Sequence, residues 1–257
     1  MSLSLRLRAA AGASLKHLLL SLLVALLGAV LVFVFWYPYP YDQLVGGQTL
    51  FLILIAVDVS CGPLLTLVVF NPKKPRNELW RDIGIIVVLQ MAALVYGLNS
   101  VAQARPVFLA FEGDRFRVVR VPDIDIDKIS EAPENLRALS LLGPKLIGTR
   151  LAKSTDPEYL SSIQSSLNGL DPSSRPGRWL AYSQQQREVL AKAQPLTLLG
   201  QKHPSERRLI EAAVSKTGLS EKQLGYFPLM AGSHTDWVVL VSRIDAEPKG
   251  FLHLDGW

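Results

Sequence analysis

Residues 49–70 read TLFLILIAVDVSCGPLLTLVVF, and this stretch is apolar except at Asp58, Ser60, Cys61 and Thr66. A hydrocarbon core of roughly 30 Å requires about 20 helical residues, so the stretch is predicted to cross a membrane as one helix. Similar stretches lie on either side of it. The sequence therefore predicts three transmembrane helices, at about residues 17–36, 49–70 and 83–104.

Basic residues in the first 103 positions fall into two clusters, one before the first stretch and one between the second and third. The connection at residues 37–48 contains no Lys or Arg. Short basic loops remain in the cytoplasm, so we expect a cytoplasmic N-terminus and an extracytoplasmic region after residue 104. The residues that determine this topology are Arg6, Arg8, Lys16, Lys73, Lys74, Arg76 and Arg81.

The first apolar stretch shares its basic start with a cleaved signal peptide. Its apolar run of about 18 residues is longer than a signal core, and no small-x-small cleavage site follows it. We expect the stretch to be retained as a helix. An aromatic and proline-rich segment then ends the helix and is predicted to lie at the membrane interface; its aromatic residues are Trp36, Tyr37, Tyr39 and Tyr41.

Charge and cysteine content restrict the function of the region after the helices. Of the 27 basic and 22 acidic residues, 20 and 18 follow residue 104, so this region is almost neutral and gives no support to nucleic-acid binding. The single cysteine, Cys61, lies within the second stretch, so no intrachain disulfide can form. The later region must be stabilised by its own hydrophobic core.

Patterning after the helices predicts a C-terminal α+β domain with an antiparallel sheet. We therefore divide the chain into an α-helical membrane anchor at residues 1–104 and a periplasmic domain at residues 105–257. Strands are expected at 105–111, 115–121, 145–152, 224–231, 236–242 and 250–254, and helices at 130–141, 156–167, 183–193 and 204–217.

Asp58 is the most unusual residue of the second stretch because it lies about ten residues from either end, near the bilayer centre. A carboxylate at that depth costs roughly 2.5–3.5 kcal/mol. Counting along antiparallel helices makes Gln90 and Tyr96 its candidate neighbours. Two interpretations stay open: a protonated carboxyl that hydrogen-bonds within the bundle, or a binding site for the membrane helix of a partner.

Gly62 and Pro63 follow Asp58 by one helical turn. Proline cannot donate to the carbonyl of Val59, so we expect a kink that leaves an open acceptor beside Asp58. The candidate partner-binding residues are Asp58, Gly62, Pro63, Gln90 and Tyr96.

Other kinds of site have little support in the sequence. The four histidines have no metal-ligand spacing, and no nucleotide-binding, zinc-protease or nucleophile-elbow motif occurs. We expect neither a metal nor a cofactor and no enzymatic activity. Ser233, His234 and Asp236 are close in sequence, but that closeness alone does not make a catalytic triad.

Residues 51–74 resemble the hallmark of the TfpX/TfpZ family of type IV pilin accessory proteins. So do Trp36-Tyr37-Pro38 before this run and residues 103–108 after it, and the resemblance covers roughly residues 15–120. It implies a protein of the Gram-negative inner membrane that assists pilin assembly and the extension and retraction of the fibre, without a known enzymatic activity.

The partners implied by the resemblance are the major type IV pilin, the pilus assembly machinery as a second candidate, and membrane lipid; the oligomeric state is left open. Pilins of this kind have one membrane helix with an acidic residue near its start, so Asp58 could pack against such a helix and hydrogen-bond to it. One alternative is a membrane-anchored sensor that acts through a partner. A membrane enzyme using Asp58 is a second alternative, although no further catalytic group is visible.

Overall fold

The computed structural model describes residues 3–257, with side chains described from residue 6 onward. The chain forms two compact units, one ending at Arg105 and the other running Pro106–Trp257. We refer to them as the helical unit and the C-terminal unit. Residues 1 and 2 of the predicted anchor lie outside the described part of the chain.

The helical unit contains the three long apolar helices that the sequence predicts. Helix α1 spans Leu3–Val30 and continues as a π-helix over Leu31–Trp36. A short helix α2, Tyr41–Leu44, precedes α3, Gly47–Val69. Helix α4 spans Arg76–Gln103. All three long helices are long and apolar enough to cross a membrane, and α3 packs against both α1 and α4.

A small core closes one end of the helical unit and involves the aromatic segment. Tyr37 is fully buried with Val32, Phe51 and Val101, and its hydroxyl donates to the Val101 carbonyl at 2.8 Å. Tyr41 is also buried at the start of α2, whereas Trp36 is half-buried and Tyr39 is 71% exposed. The chain reverses direction here, which folds two of the four aromatic rings inward instead of leaving all four at the surface.

The C-terminal unit is built around an eight-stranded mixed sheet that is mostly antiparallel, so the predicted α+β class is confirmed. The strands are β1 Pro106–Phe111, β2 Phe116–Arg120, β3 Lys145–Thr149, β4 Trp179–Ala181, β5 Gln194–Pro195, β6 Leu224–Ala231, β7 His234–Ser242 and β8 Pro248–Leu252. Their order in the sheet is β4-β3-β1-β2-β6-β7-β8, and β5 pairs with β6. The pairs β1/β3 and β2/β6 are parallel.

Four helices accompany the sheet, and the unit has two hydrophobic clusters. One cluster surrounds Phe108, Ile147 and Trp179, and the other packs Ile210 against Tyr226 and Val238. Within each cluster these strand residues share one face of the sheet, since alternate residues of a strand point to the same side. The helices are α5 Tyr159–Leu167, α6 Gln186–Lys192, α7 Leu196–Lys202 and α8 Arg207–Thr217.

The structure contradicts one prediction of local structure and contains short elements that the sequence did not predict. The expected helix at residues 130–141 is wrong, because this region forms only short 3₁₀ turns at Ile126–Glu131 and Glu134–Leu136. Pro133 separates them, and Ala132 before it is extended, as steric contact with proline favours. The sequence pattern did not predict α2, β4, β5 or α7.

Candidate partner-binding site in the helical unit

Polar side chains from the three long helices meet inside the helical unit. Ser14, His17 and Ser21 lie on one face of α1, since spacings of three and four residues place side chains on the same side of a helix. They meet Asp58 and Thr66 of α3 and Gln90 of α4. We call these six residues the polar cluster.

Gln90 is the centre of the polar cluster. Its Nε2 donates to the backbone carbonyl of Asp58 and to Oγ of Ser21, each at 3.0 Å, and its Oε1 lies 3.0 Å from Nε2 of His17. A backbone carbonyl can only accept a hydrogen bond, which fixes the orientation of the Gln90 amide. Nε2 of His17 must then be the donor to Gln90 Oε1.

The other nitrogen of His17 connects α1 to α3. Its Nδ1 lies 2.6 Å from Oγ1 of Thr66, a hydroxyl that can donate to it when the imidazole is neutral. One turn earlier on α1, Ser14 Oγ donates to the carbonyl of Pro63 at 2.8 Å. The cluster therefore links all three long helices through directional bonds. Such bonds are worth about 0.6 kcal/mol on average between membrane helices.

Gly62 is required by the close approach of Gln90. A Cβ atom at position 62 would lie 2.0 Å from Oε1 of Gln90, well inside any allowed contact. The absence of a side chain on Gly62 lets the Gln90 amide reach the backbone of α3. The structure thus brings Asp58, Gly62 and Gln90 together, with Pro63 joined to the cluster through its carbonyl.

Asp58 is buried, with 7% of its surface exposed, yet its carboxyl is not satisfied. Its Oδ1 has no hydrogen-bond partner among residues 3–257. The carboxyl lies beside a cavity of about 50 Å³ that His17, Ser21 and Gln90 also line. Tyr96 is not part of the cluster: its side chain is 76% exposed.

On the outer side of the same residues, a groove of about 540 Å³ runs between α3 and α4. We call it the α3–α4 groove. Asp58, Gly62 and Gln90 form its polar part, and Tyr96 and the exposed Cys61 also line it. Its apolar lining consists of Ile53, Leu54, Val57 and Leu65 of α3 and Ile86, Leu89, Ala93, Leu94 and Gly97 of α4.

His17, Thr66 and the two serines are members of the polar cluster that sequence analysis did not identify. The signal for the α1 residues was present, because positions 14, 17 and 21 follow the helical repeat within an apolar stretch. Thr66 gave no comparable signal, since threonine in a helix commonly hydrogen-bonds to its own backbone.

The two basic clusters also come together in the helical unit. Arg8 and Lys16 of α1 and Arg76 of α4 line one depression of about 860 Å³, beside Trp80. Lys74 forms an ion pair with Asp82 at 2.6 Å, and Arg81 lies 3.7 Å from the same carboxyl group. The basic residues in the first half of α1 and those around the connection between α3 and α4 therefore lie at the same end of the unit.

In the C-terminal unit, the acid–histidine contact that most resembles a catalytic pair is formed by Asp236 and His253. Asp236 Oδ2 lies 2.6 Å from Nε2 of His253, which stacks on Trp237 at a ring distance of 4.8 Å. The hydrogen bond from His253 holds the pKa of the Asp236 carboxyl below its usual range. This is a surface contact between β7 and the end of β8. The Asp236 carboxyl is hydrogen-bonded to His253 and not to Ser233.

Comparison with known proteins places these features in a family context. The family model described as fimbrial assembly protein FimB matches residues 5–46. The "Fimbrial assembly protein, serogroup I" of Dichelobacter nodosus is 33% identical over 228 residues, which cover 88% of each chain. The serogroup E1 protein of that organism is 32% identical over 228 residues, again 88% of each chain.

A third protein of Dichelobacter nodosus, the "Fimbrial assembly protein, serogroups C1 and C2", is 42% identical over 116 residues. The match covers 45% of the present chain and 88% of that protein. No solved structure is significantly similar to the chain.

Proposed function

The chain belongs to the fimbrial assembly protein family, and from this premise we propose that it is a non-enzymatic accessory protein of a type IV pilus that binds the major pilin within the inner membrane. The observation that carries the proposal is the α3–α4 groove, an apolar surface at the depth of a buried carboxyl whose Oδ1 has no partner in the described chain.

The occupant that fits this groove is a transmembrane helix. In the hydrocarbon region every backbone polar group must be satisfied within its own segment, so a partner that spans the bilayer at this depth is helical. The apolar lining suits the side chains of such a helix. A rotation of the Asp58 side chain toward the groove would let a polar group on the pilin helix complete its hydrogen bonding, which favours one position of the helix along the groove.

The basic residues at one end of the helical unit support the proposed membrane orientation. Cytoplasmic retention of Lys and Arg puts the N-terminus and the connection between α3 and α4 inside the cell. Helix α4 then carries the chain outward, which makes the C-terminal unit periplasmic. The protein would thus be a multi-pass protein of the Gram-negative inner membrane, with lipid around its three long helices.

A binding role accounts for the polar cluster better than catalysis does. Its hydrogen bonds join side chains to backbone carbonyls and to one another, an arrangement that fixes helix positions. If Asp58 moved protons or catalysed a reaction, Asp58→Asn would abolish function. For a hydrogen-bonding site we expect this substitution to be largely tolerated, with Asp58→Leu the more damaging change.

The proposal is tested by filling the α3–α4 groove in the full chain. Cys61→Trp places a large side chain in the groove, whereas Ser60→Trp adds the same side chain at an exposed neighbouring position that does not line it. We expect Cys61→Trp to reduce surface pili and Ser60→Trp to leave them near the normal level, at equal amounts of membrane-inserted protein.

Equal pilus numbers in the two tryptophan variants would overturn the groove as the pilin site. If the variants lost contact with an assembly-machinery protein while pilin still bound, the effect on pili would have to be assigned to that machinery.

A further inference from the structure

The C-terminal unit contains a cleft of about 710 Å³, a volume within the usual range of binding sites. The strand β5, the start of α7, the start of α8 and the turn before β6 form its walls. Its floor is apolar and is lined by Pro195, Leu196 and Leu224; Pro195 is exposed and accessible to a ligand, whereas the two leucines beneath it are each 1% exposed. We call it the β5–α8 cleft.

The rim of the β5–α8 cleft is positively charged. Arg207, Lys222 and Arg243 line it together with one acidic residue, Glu221, which gives these four side chains a net charge of +2. Arg207 is already paired, since it contacts Glu211 at 2.9 Å and Glu221 at 3.3 Å. Lys222 and Arg243 are exposed, and their side chains form no ion pair or hydrogen bond within residues 3–257.

Backbone hydrogen bonds order the two turns that carry these cations. The Arg243 amide donates to the Gln223 carbonyl at 2.8 Å, which joins the turn after β7 to the turn before β6. Ser220 and Gln223 cap the short 3₁₀ turn Glu221–Gln223 reciprocally. The cations are therefore displayed on an ordered rim, so little backbone ordering is required when a ligand binds.

We propose that the β5–α8 cleft binds an acidic polypeptide segment, with Lys222 and Arg243 contacting its carboxylates and the apolar floor accepting an aliphatic side chain. A polypeptide fits better than a nucleic acid, because two unpaired cations are too few to neutralise a continuous row of phosphates and the region after residue 104 is almost neutral. The inference does not depend on the α3–α4 groove, which lies in the other unit.

The experiment uses the full chain in nanodiscs of neutral lipid and a short fluorescein-labelled peptide of alternating glutamate and alanine residues. Binding is followed by fluorescence anisotropy. We expect saturable binding that weakens about five- to tenfold in the Lys222→Gln/Arg243→Gln double variant, the effect of removing two exposed charge pairs. Binding should also weaken with added salt, because the charges are exposed.

The matched control is the Lys145→Gln/Arg187→Gln double variant. It removes two exposed cations of the same unit that do not line the cleft, and it should bind the peptide as the unmodified chain does. An equal loss of binding in both double variants, or no saturable binding to the unmodified chain, would overturn the proposal.

Competition distinguishes other anionic ligands from a polypeptide. A single-stranded oligonucleotide or vesicles containing phosphatidylglycerol, matched to the peptide in total negative charge, should displace it poorly. Displacement as strong as that by unlabelled peptide would assign the cleft to nucleic acid or to a lipid surface and contradict the proposal. This outcome would leave the intramembrane contact with pilin untouched.

Discussion

At the scale of single residues, Gln90 is the side chain that joins the three long helices, because it bonds to His17, Ser21 and the backbone of Asp58. Replacing it with leucine keeps a similar volume but leaves the donor of His17 and the carbonyl of Asp58 with one partner fewer. Buried polar groups that lose a partner are costly where water cannot replace it.

We predict that Gln90→Leu lowers the free energy of unfolding of the helical unit by roughly 1–3 kcal/mol. The measurement is SDS denaturation of the full chain in mixed micelles, followed by circular dichroism. Gln103→Leu makes the same chemical change at an exposed position at the end of α4 and should have little effect. Equal stability of the two variants would contradict the role of Gln90.

The second residue-scale prediction concerns Gly62. Alanine there would place a Cβ atom 2.0 Å from Gln90 Oε1, so the amide must move and its hydrogen bonds must break. Gly84→Ala is the matched control, because nothing lies within 4 Å of a Cβ at that helical position. In the same denaturation assay, Gly62→Ala should destabilise the unit, and Gly84→Ala should be neutral or stabilise it by up to about 1 kcal/mol.

Some residues of the candidate site could be predicted from sequence, for a physical reason. Asp58 and Gln90 are conspicuous within apolar stretches, and counting residues gives their depth along a helix. The depth of a residue along a helix does not determine which face of the helix its side chain occupies. Tyr96 lies six residues beyond Gln90, which is about 240° around the helix, so it lines the α3–α4 groove but stays exposed and outside the polar cluster. His17 is not conspicuous by itself, because its place in a polar cluster becomes visible only when Ser14 and Ser21 are recognised on the same helix face.

At the scale of secondary-structure elements, the long apolar helices could be predicted from the sequence, whereas the short strands and 3₁₀ turns could not. Pro133 prevents the helix expected at residues 130–141 because the residue before proline avoids helical geometry. Strand β4 has three residues and β5 has two, too few for an alternating pattern to stand out. The parallel pairing of β2 with β6 joins segments about a hundred residues apart, which local pattern does not specify.

The side chain of Glu112 holds the segment before β4 in place, so substitution of Glu112 tests how this element is positioned. It is 3% exposed, and its two carboxylate oxygens accept from the Ser173 amide and from Arg115 Nε, both at 3.1 Å. In Glu112→Gln, the side-chain NH₂ group must face one of these two donors. We expect a loss of roughly 1–3 kcal/mol and faster amide hydrogen exchange at Ser173.

Glu206→Gln serves as the control for this change, since Glu206 is exposed and distant in sequence from the anchored segment. Unchanged exchange at Ser173 in Glu112→Gln would show that the segment is held by other contacts, such as the ion pair of Arg117 with Asp171.

At the scale of the whole molecule, the orientation of the chain determines which partners each unit can meet. Basic residues at one end of the helical unit predict that this end is cytoplasmic. Alkaline phosphatase, which is active only outside the cytoplasm, should therefore be active when fused after Trp257 and inactive when fused after Asn71. The opposite pattern would invert the topology and remove the C-terminal unit from the periplasm.

The central claim, that the α3–α4 groove receives the pilin helix, is tested most directly by disulfide crosslinking in membranes. Cys61 is the only cysteine of the chain and lines this groove, so it needs no engineering on this side. Single cysteines are placed in turn along the membrane helix of the major pilin. The control chain carries Cys61→Ala with Ser60→Cys, which moves the thiol to an exposed position at nearly the same depth outside the groove lining.

We predict adducts between Cys61 and pilin cysteines that recur every three or four positions, as one face of a helix requires, and few adducts with the control chain. Failure of Cys61 to crosslink, or equal crosslinking from both positions, would contradict the account.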